Sequence, residues 1–544
     1  MKKYRIASLF LTALLLLCTV LPAAAADASL DYRTYTLTDA PAGLSMSFYH
    51  GVFSRGFAWI TAKDVEDTEL YVAKIPEGGI TDTLFDGVEP ITGTSHVTFS
   101  PDGLRLAVHQ VQIEDLEPGT KYAYRAGGAG QYVDGTFETA PEKSGTVTVL
   151  NLNDAQTKKA NLYGVWENTV RTALNRVGDT RLSFIGYGGD LFDANQYDPA
   201  DDSFRLDQYL RWCLSVDTVS PVLRCNVLAA SGGNHESYEQ NLYCDMNNVA
   251  FAGTSEDNVG GYYSFRDGIV HYVVLSYFTD LNDDAFRAEY DWLKADLEAA
   301  NADPGVEWIV VQMHWGPYTT GDHGADGKTE TLITTLAPLF SEQHVDLVLQ
   351  AHDHTFSKTV PYLWDAAGYE SEFDDETVVN LSVETVQIDG VTYDSDPHGT
   401  YYVSVGASGH RVGENRDYAD KEYGAYRRNT YKTQIGTVNV PSDFFEVGEP
   451  STGDLGKQMF GVLTVAGDKL SYDFYAVTGD SESVLVDTLR VKKEIAKENM
   501  PGGGLSAATI IVIIVCAAVL LGSLVLILIL SKKERTEKDA PLAE

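Results

Sequence analysis

From about Asp27 to Glu142, apolar and polar residues alternate in short runs broken by Gly, Pro, Asp and Thr, as in FAWITA, TELYVAKI, LRLAVHQVQI, KYAYRAGG and GTFETA. A period of two with frequent turns predicts short strands packed as an N-terminal β-sandwich. Past Pro141 the pattern changes. The runs TVTVLNL, RLSFIGYG, NVLAAS, WIVVQM and VDLVLQ read as strands, and between them Leu162, Val165, Trp166, Val170, Ala173, Leu174 and Val177 recur at helical spacing. Phe286, Tyr290, Leu293 and Leu297 mark another amphipathic helix. Strands alternating with helices predict a layered α/β domain over residues 143–491, so the chain reads as a multidomain protein of α+β and α/β type. From about Gly399 to Val491 strand patterns return, in YYVSVGAS, MFGVLTVAGDKLSYDFYAV and SVLVDTLRV, and are expected to close that domain's second sheet.

Both ends carry a different pattern. Residues 1–26, MKKYRIASLFLTALLLLCTVLPAAAA, have a basic start, an apolar middle and a small-residue end, which predicts a secretory signal peptide cleaved near Ala26. Leu505 to Leu530 is an uncharged apolar run of 26 residues. At about 1.5 Å per residue it is long enough for a transmembrane helix. The basic cluster in Ser531–Arg535 places the 531–544 tail in the cytoplasm. The expected localisation is the cell membrane, single-pass, with residues 27–491 outside and a linker over 492–504 that contains Gly502, Gly503 and Gly504.

Composition adds two exclusions. Apolar residues make up 44% and charged residues 22% of the 544 positions, which argues against a mainly disordered chain. A formal net charge of −38 disfavours binding of nucleic acid by bulk electrostatics, so an anionic substrate needs local help from cations. Of five cysteines, Cys18 lies in the leader and Cys516 in the membrane segment; Cys213, Cys225 and Cys244 form neither a disulfide framework nor a zinc spacing.

The chemistry sits just after the apolar runs. Five short motifs place metal-ligand side chains there: Asn153-Asp154-Ala155-Gln156, Gly189-Asp190, Gly233-Asn234-His235-Glu236, His314 in VVQMHW, and Ala351-His352-Asp353-His354. Ends of parallel strands converge at one edge of a sheet, so groups distant in sequence can meet there. Carboxylate and amide oxygens mixed with imidazoles suit a close pair of divalent or trivalent first-row ions, and so hydrolysis at phosphorus.

The order and spacing of these motifs, GNHE and AHDH above all, resemble the calcineurin-like metallophosphoesterase superfamily. With a β-sandwich in front, Asp27 to Val491 resembles purple acid phosphatases and their bacterial relatives. Leu116-Glu117-Pro118-Gly119-Thr120-Lys121-Tyr122-Ala123-Tyr124 resembles the tyrosine corner of fibronectin type III-like domains, which the resemblance assigns to residues 27–142. The resemblance implies a four-layer α/β/β/α catalytic domain and a phosphohydrolase of acid phosphatase type. In it a hydroxide activated by two metals, Fe, Mn or Zn, attacks a phosphate-ester substrate.

By the same resemblance Asp154 and His354 bind one ion, Asp190 bridges, and Asn234, His314 and His352 hold the second. His235 faces the substrate as a phosphoryl-stabilising or proton-donating group, His323 matches a second substrate-facing histidine, and His410 is a weaker candidate. Two departures matter. Gln156 stands where many members have His, and Asp193 stands where purple acid phosphatases have a ligand Tyr. Either Gln156 or Asp193 completes the Asp154 site. A phosphodiesterase or nucleotide hydrolase with the same metal core, or a surface binding protein with a degraded site, are the competing readings.

Overall fold

The computed structural model describes residues 37–99, 105–143, 145–157, 162–193, 222–238, 240–255, 257–319, 321, 323, 326–364, 383–410, 445–450 and 458–495. The leader, the apolar segment 505–530, the tail and most of the 492–504 linker lie outside these residues. Among the described residues, no helix is long and apolar enough to cross a membrane.

Eight strands come first: β1 (Ala42–Ser47), β2 (Arg55–Ala62), β3 (Glu69–Lys74), β4 (Ile91–Thr92), β5 (Thr94–Phe99), β6 (Arg105–Ile113), β7 (Lys121–Gly128) and β8 (Gln131–Glu138). They form two antiparallel sheets, β1-β2-β6-β5 and β4-β3-β7-β8. The sheets face each other through aromatic rings: Phe57 of β2 lies 4.8 Å from Tyr124 and 6.0 Å from Phe137 of the other sheet. The backbone N–H of Glu117 donates to the Tyr122 hydroxyl at 3.0 Å, which pins the turn between β6 and β7. The seam to the rest of the chain combines apolar packing, with the Phe48 ring 4.8 Å from Phe265 and 5.9 Å from Phe184, and hydrogen bonds. Asn248 Nδ2 donates to Phe57 O at 2.8 Å, Ser45 Oγ to Met246 O at 2.6 Å, and the Tyr124 hydroxyl to Arg224 O at 2.9 Å.

Two mixed eight-stranded sheets follow. The strands are β9 (Thr146–Leu152), β10 (Phe184–Tyr187), β11 (Leu228–Ala230), β12 (Gly253–Thr254), β13 (Gly261–Asp267), β14 (Val270–Val274), β15 (Trp308–Gln312), β16 (Leu347–Gln350), β17 (Thr355–Thr359), β18 (Thr385–Ile388), β19 (Val391–Ser395), β20 (Tyr401–Val405), β21 (Phe445–Pro450), β22 (Met459–Ala466), β23 (Lys469–Gly479) and β24 (Glu482–Lys492). The first sheet runs β11-β10-β9-β22-β23-β24-β19-β18 and the second β12-β13-β14-β15-β16-β20-β17-β21.

Alternation along each strand explains the layering. Val149 and Phe184 point into the core shared by both sheets, whereas Leu150 and Ile185 point the other way, onto Trp166 and Val170 of α1 (Tyr163–Val177). On the second sheet, Val310 and Leu349 share the inner core, while Val311 and Val348 meet Leu293 and Leu336. Those leucines belong to α4 (Asp284–Ala302) and α5 (Gly327–Glu342); α2 (Val222–Cys225) and α3 (Gln240–Met246) are the short helices between. Rings cross between the sheets at Phe184–Tyr272 and Phe356–Phe474, 4.8 and 4.9 Å apart. The order is helix, sheet, sheet, helices.

One expectation differs from the observed topology. Of the strands between Gly399 and Val491, β20 joins the second sheet beside β16, but β22, β23 and β24 extend the first. The reason is the open edge of β9, whose residues Val147 to Asn151 pair antiparallel with Gly461 to Val465 of β22. Among the described residues Cys225 and Cys244 form no disulfide, and Cys213 lies outside them.

Candidate metal centre

All five motifs emerge at carboxyl ends of parallel strands. Strands β9, β10 and β11 are mutually parallel in the first sheet, as are β14, β15, β16 and β20 in the second. Asp154, Asp190 and Asn234 follow the former set; His314, His352 and His354 follow β15 and β16 of the latter. Two facing sheet edges, rather than one, therefore build the site.

The backbone there is strained. Among the described residues, eleven non-glycine residues have positive φ, and five of them are Asp154, Gln156, Asp190, His352 and His354, with φ of 47°, 38°, 54°, 73° and 53°. Each such conformation costs on the order of 1 kcal/mol or more, so a cluster of them marks a place where side-chain direction outweighs local comfort.

Cross-bracing holds the strained loops. The Asp154 N–H donates to Gly189 O at 3.1 Å and the Gln156 N–H to Asp190 O at 3.0 Å, so the first two loops zip together. Asn153 Oδ1 accepts from the Gly188 N–H at 3.1 Å. Glu236, fully buried, accepts from the N–H groups of Asp190 (2.9 Å), Leu191 (2.8 Å) and Gly233 (2.6 Å). Gly233 must lack a side chain, since a Cβ there would stand 2.2 Å from Asp190 Oδ1. From the far side, Ser408 and Gly409 donate their N–H groups to Asn153 O and Asp154 O. The buried His410 thus follows a loop that braces Asp154.

The side chains converge on Asp190. Ligand atoms of Asp190, His314 and His352 lie within 4.8 Å of one another, and so do those of Asp154, Asp190 and His354. Asp190 belongs to both groups. Asn234 Oδ1 is 3.1 Å from His314 Nε2, which brings Asn234 to the first group, while His354 Nε2 is 3.7 Å from Asp154 Oδ1. His314 is oriented by its Nδ1, which donates to Gly188 O at 2.7 Å and leaves Nε2 facing Asp190 Oδ2 at 3.4 Å.

His235 sits between Gln156 and Asp193. Its backbone N–H donates to Asp190 Oδ1 at 3.0 Å, its Nδ1 is 2.7 Å from Asp193 Oδ1, and its Nε2 is 2.5 Å from the Gln156 side-chain nitrogen and 3.8 Å from Asp190 Oδ2. His323 lies at the opposite side, with its Nδ1 2.8 Å from Asp326 Oδ2 and its ring 4.3 Å from that of His352. Its backbone N–H donates to Asp353 Oδ1 at 2.9 Å, so the residue between the two AHDH histidines anchors the loop that carries His323.

Electrostatics single out this cluster. Burial pushes the Asp154 carboxyl well above the usual carboxylate range. It pushes Glu236 up to about 7, with the charge of Asp190 adding to the effect. Burial opposes ionisation of Asp190 too, but His314 and His235 overcome it and hold that carboxyl below the usual range. Burial works against a charge on His314, yet Asp190 leads a set of acids that raises it to about 9. Asp154 Oδ2 and Gln156 Oε1 are among the buried oxygens that have no hydrogen-bond partner among the described residues. Buried acceptors with no donor, next to crowded carboxylates, are what a bound cation satisfies. The residues present therefore fit metal ions.

Motif reading reached the metal-ligand candidates and His235, but not the roles of Glu236, Asn153, Asp353 and Gln312. Gln312 Nε2 crosses from the second sheet to the first, donating to Tyr187 O and Ala229 O at 2.9 and 3.0 Å, and its Oε1 accepts from the Tyr272 hydroxyl at 2.7 Å. Glu236 is the fourth residue of the GNHE motif and could have been singled out as the acceptor for a loop of exposed N–H groups. Gln312 shows in sequence only as a polar residue inside an apolar strand.

Comparison with known proteins agrees with this geometry. Residues 152–356 match the calcineurin-like phosphoesterase family. The chain is 27% identical over 354 residues to purple acid phosphatase 21 of Arabidopsis thaliana, covering 63% of this chain and 68% of that protein. It is 25% identical over 384 residues to acid phosphatase type 7 of Danio rerio, covering 65% and 77%. Among solved structures, a purple acid phosphatase from yellow lupin (Lupinus luteus) seeds superposes with a TM-score of 0.57 at 13% identity, covering 86% of this chain and 78% of that one, a likeness of fold.

Proposed function

This chain belongs to the calcineurin-like phosphoesterase superfamily, as a metal-dependent phosphoric ester hydrolase related to the purple acid phosphatases, and from that premise we propose that it is a secreted, membrane-anchored phosphomonoesterase with a dinuclear centre. The observation that carries the dinuclear reading is the membership of Asp190 in both ligand groups. A shared carboxylate offsets the repulsion between two cations a few ångströms apart.

In this reading Asp154, Asp190 and His354 hold one ion, and Asp190, Asn234, His314 and His352 the other. Gln156 completes the first set through Oε1, the oxygen without a partner. Asp193 is committed elsewhere, against His235. Ions bound there, Fe, Mn or Zn, supply Lewis acidity toward the phosphoryl oxygens and a nucleophile drawn from water. His235 fronts Asp190 and gives a proton to the departing alkoxide, with Asp193 fixing its tautomer and ring orientation. His323 flanks the second ion from the side of His352. The fully buried Glu236 holds the Asp190 loop by its amides, so the shared carboxylate needs no rearrangement when substrate arrives.

The signal-peptide pattern at 1–26 and the apolar run at 505–530 support export and anchoring of a body that faces outside. Elemental analysis of the purified full-length protein, paired with hydrolysis of a phosphomonoester and a phosphodiester, tests the enzymatic reading. Two ions per chain and a preference for the monoester are expected, both lost in Asp190→Asn. A variant that keeps two ions and full turnover would remove Asp190 from the centre, and a faster diester would redirect the specificity. For topology, protease added to intact cells should degrade the body and spare a tag placed after Glu544.

A further inference from the structure

The two histidines of the Asn234 side are held in different ways. A metal-ligating imidazole ordinarily donates its second ring N–H to a carbonyl or carboxylate, which fixes its orientation. His314 follows that rule through Gly188 O. His352 does not: its Nδ1 faces His314 Nε2 at 3.2 Å, and its Nε2 is buried with no hydrogen-bond partner among the described residues.

Rings take the place of that bond. The indole of Trp315 lies 4.1 Å from the His352 ring at an interplanar angle of 24°, a stacked pair, and the His323 ring lies 4.3 Å from His352 at 38°. Trp315 and His323 touch edge-to-face at 4.9 Å, so the three rings form a triangle. The indole is itself fixed. Its Nε1 donates to Thr329 Oγ1 at 2.9 Å, and Lys328 places its ammonium 4.8 Å from the indole and 3.9 Å from the ring of Tyr277, itself 6.0 Å from the His314 ring. Thr329 in turn donates its hydroxyl to His323 O at 2.6 Å, so one buried threonine ties together both neighbours of His352.

We infer that Trp315 is the positioning residue of the second metal site, holding the His352 ring by stacking where a hydrogen bond is missing. An imidazole with no bond on its far nitrogen is free to rotate about χ2, and a rotation of a few tens of degrees takes Nδ1 off the line to a metal. A flat ring 4.1 Å away blocks that rotation. This inference rests on the assignment of His352 as a ligand under the proposed function.

The test uses the full-length protein and reads metal binding rather than turnover. Mn²⁺ affinity is measured by chelator competition, site geometry by the visible spectrum of the Co²⁺-substituted protein, and folding by thermal unfolding. Trp315→Leu keeps an apolar side chain but removes the flat ring, and should weaken binding of one of the two ions by about 10- to 100-fold, the range for lost outer partners of a ligand. It should also change the Co²⁺ spectrum. Trp315→Phe restores a stacking face and should return affinity to within a few-fold of wild type. Thr329→Val, which releases the indole N–H with little change in shape, should give a smaller loss in the same direction, and it decides the matter should Trp315→Leu not fold. Wild-type affinity and spectrum in Trp315→Leu, or in Thr329→Val where it alone folds, would overturn the inference. So would a loss in a folded Trp315→Phe equal to that in Trp315→Leu. His352→Ala separates the two levels: retention of both ions there overturns the ligand assignment itself, whereas its loss of one ion beside an unaffected Trp315→Leu overturns only the role of the indole.

Discussion

Asp193 Oδ1 stands 2.7 Å from Nδ1 of His235, with both side chains buried. The carboxylate three residues past Asp190 therefore faces an imidazole, whereas Gln156 Oε1 has no hydrogen-bond partner among the described residues, which is why the proposed first site takes Gln156.

That division of labour separates three variants. Asp193→Asn should keep both ions and lose about 10- to 100-fold in turnover, as an outer partner does. His235→Ala should also keep both ions and lose about 10² to 10⁴, with a smaller loss for a nitrophenyl ester, whose leaving group needs little protonation. Gln156→Ala should weaken one ion. Metal content by elemental analysis decides among them: an ion missing from Asp193→Asn would make Asp193 a ligand after all.

Glu236 carries the second prediction. Its carboxylate accepts three buried backbone N–H groups, those of Asp190, Leu191 and Gly233. Glu236→Ala leaves three donors without a partner, each costing about 1 to 3 kcal/mol. A loss of at least about 3 kcal/mol in denaturant unfolding is expected, with weakened metal binding because the Asp190 loop is no longer held. Glu236→Gln keeps one acceptor oxygen and should fall between. Wild-type stability in Glu236→Ala would show that water replaces the carboxylate without cost.

The cluster of candidate ligands was legible because strand-end motifs combine an apolar run with a ligand type, and the strands then deliver those side chains to one place. What lay hidden is set by contacts between elements. An Asp three residues after Asp190 reads equally well as a ligand or as a partner for His235, and only the crossing of the GNHE loop decides. Trp315 reads as one more apolar residue after β15, yet it stacks on His352 from 37 positions later. The destination of β22 to β24 was hidden for another reason: a period of two specifies a strand but not which open edge it joins.

Glu289 yields a pH prediction away from the centre. This buried side chain of α4 accepts the Ser276 N–H at 2.9 Å and the Ser276 hydroxyl. Burial pushes its carboxyl up to about 7 from an ordinary 4.5, only partly opposed by the bonds from Ser276 and Asn258. Between those two values the unfolded chain has released the proton while the folded chain keeps it, so stability falls as pH rises through that window and is flat on either side. The loss amounts to at most about 3 kcal/mol. Glu289→Gln carries no such charge, so its stability relative to wild type should improve from pH 4.5 to pH 7. A difference that stays constant across that range would mean the buried carboxylate is already ionised.

The last prediction concerns colour. The purple of the enzymes this chain is related to comes from a tyrosinate bound to ferric iron, and Asp193 occupies the matching place here. Tyr187 is one described candidate to replace it, but it is fully buried, its hydroxyl accepts the Ala155 N–H at 2.8 Å, and its ring packs on Trp166 at 5.9 Å. Moving it would strand that N–H and open the core beneath α1, at a cost of several kcal/mol by order of magnitude. Tyr197, the other candidate, lies outside the described residues. Protein fully loaded with iron should therefore show no intense visible band. With an amide oxygen in place of a phenolate, the site of Asp154 should lose its preference for Fe³⁺ and accept Mn²⁺, Zn²⁺ or Fe²⁺. An absorption spectrum of the iron-loaded protein, recorded beside that of Gln156→Ala, is the measurement. An intense band in wild type that persists in the variant would mean that a tyrosine has taken the position, and the place given to Gln156 in the first metal site would have to be withdrawn.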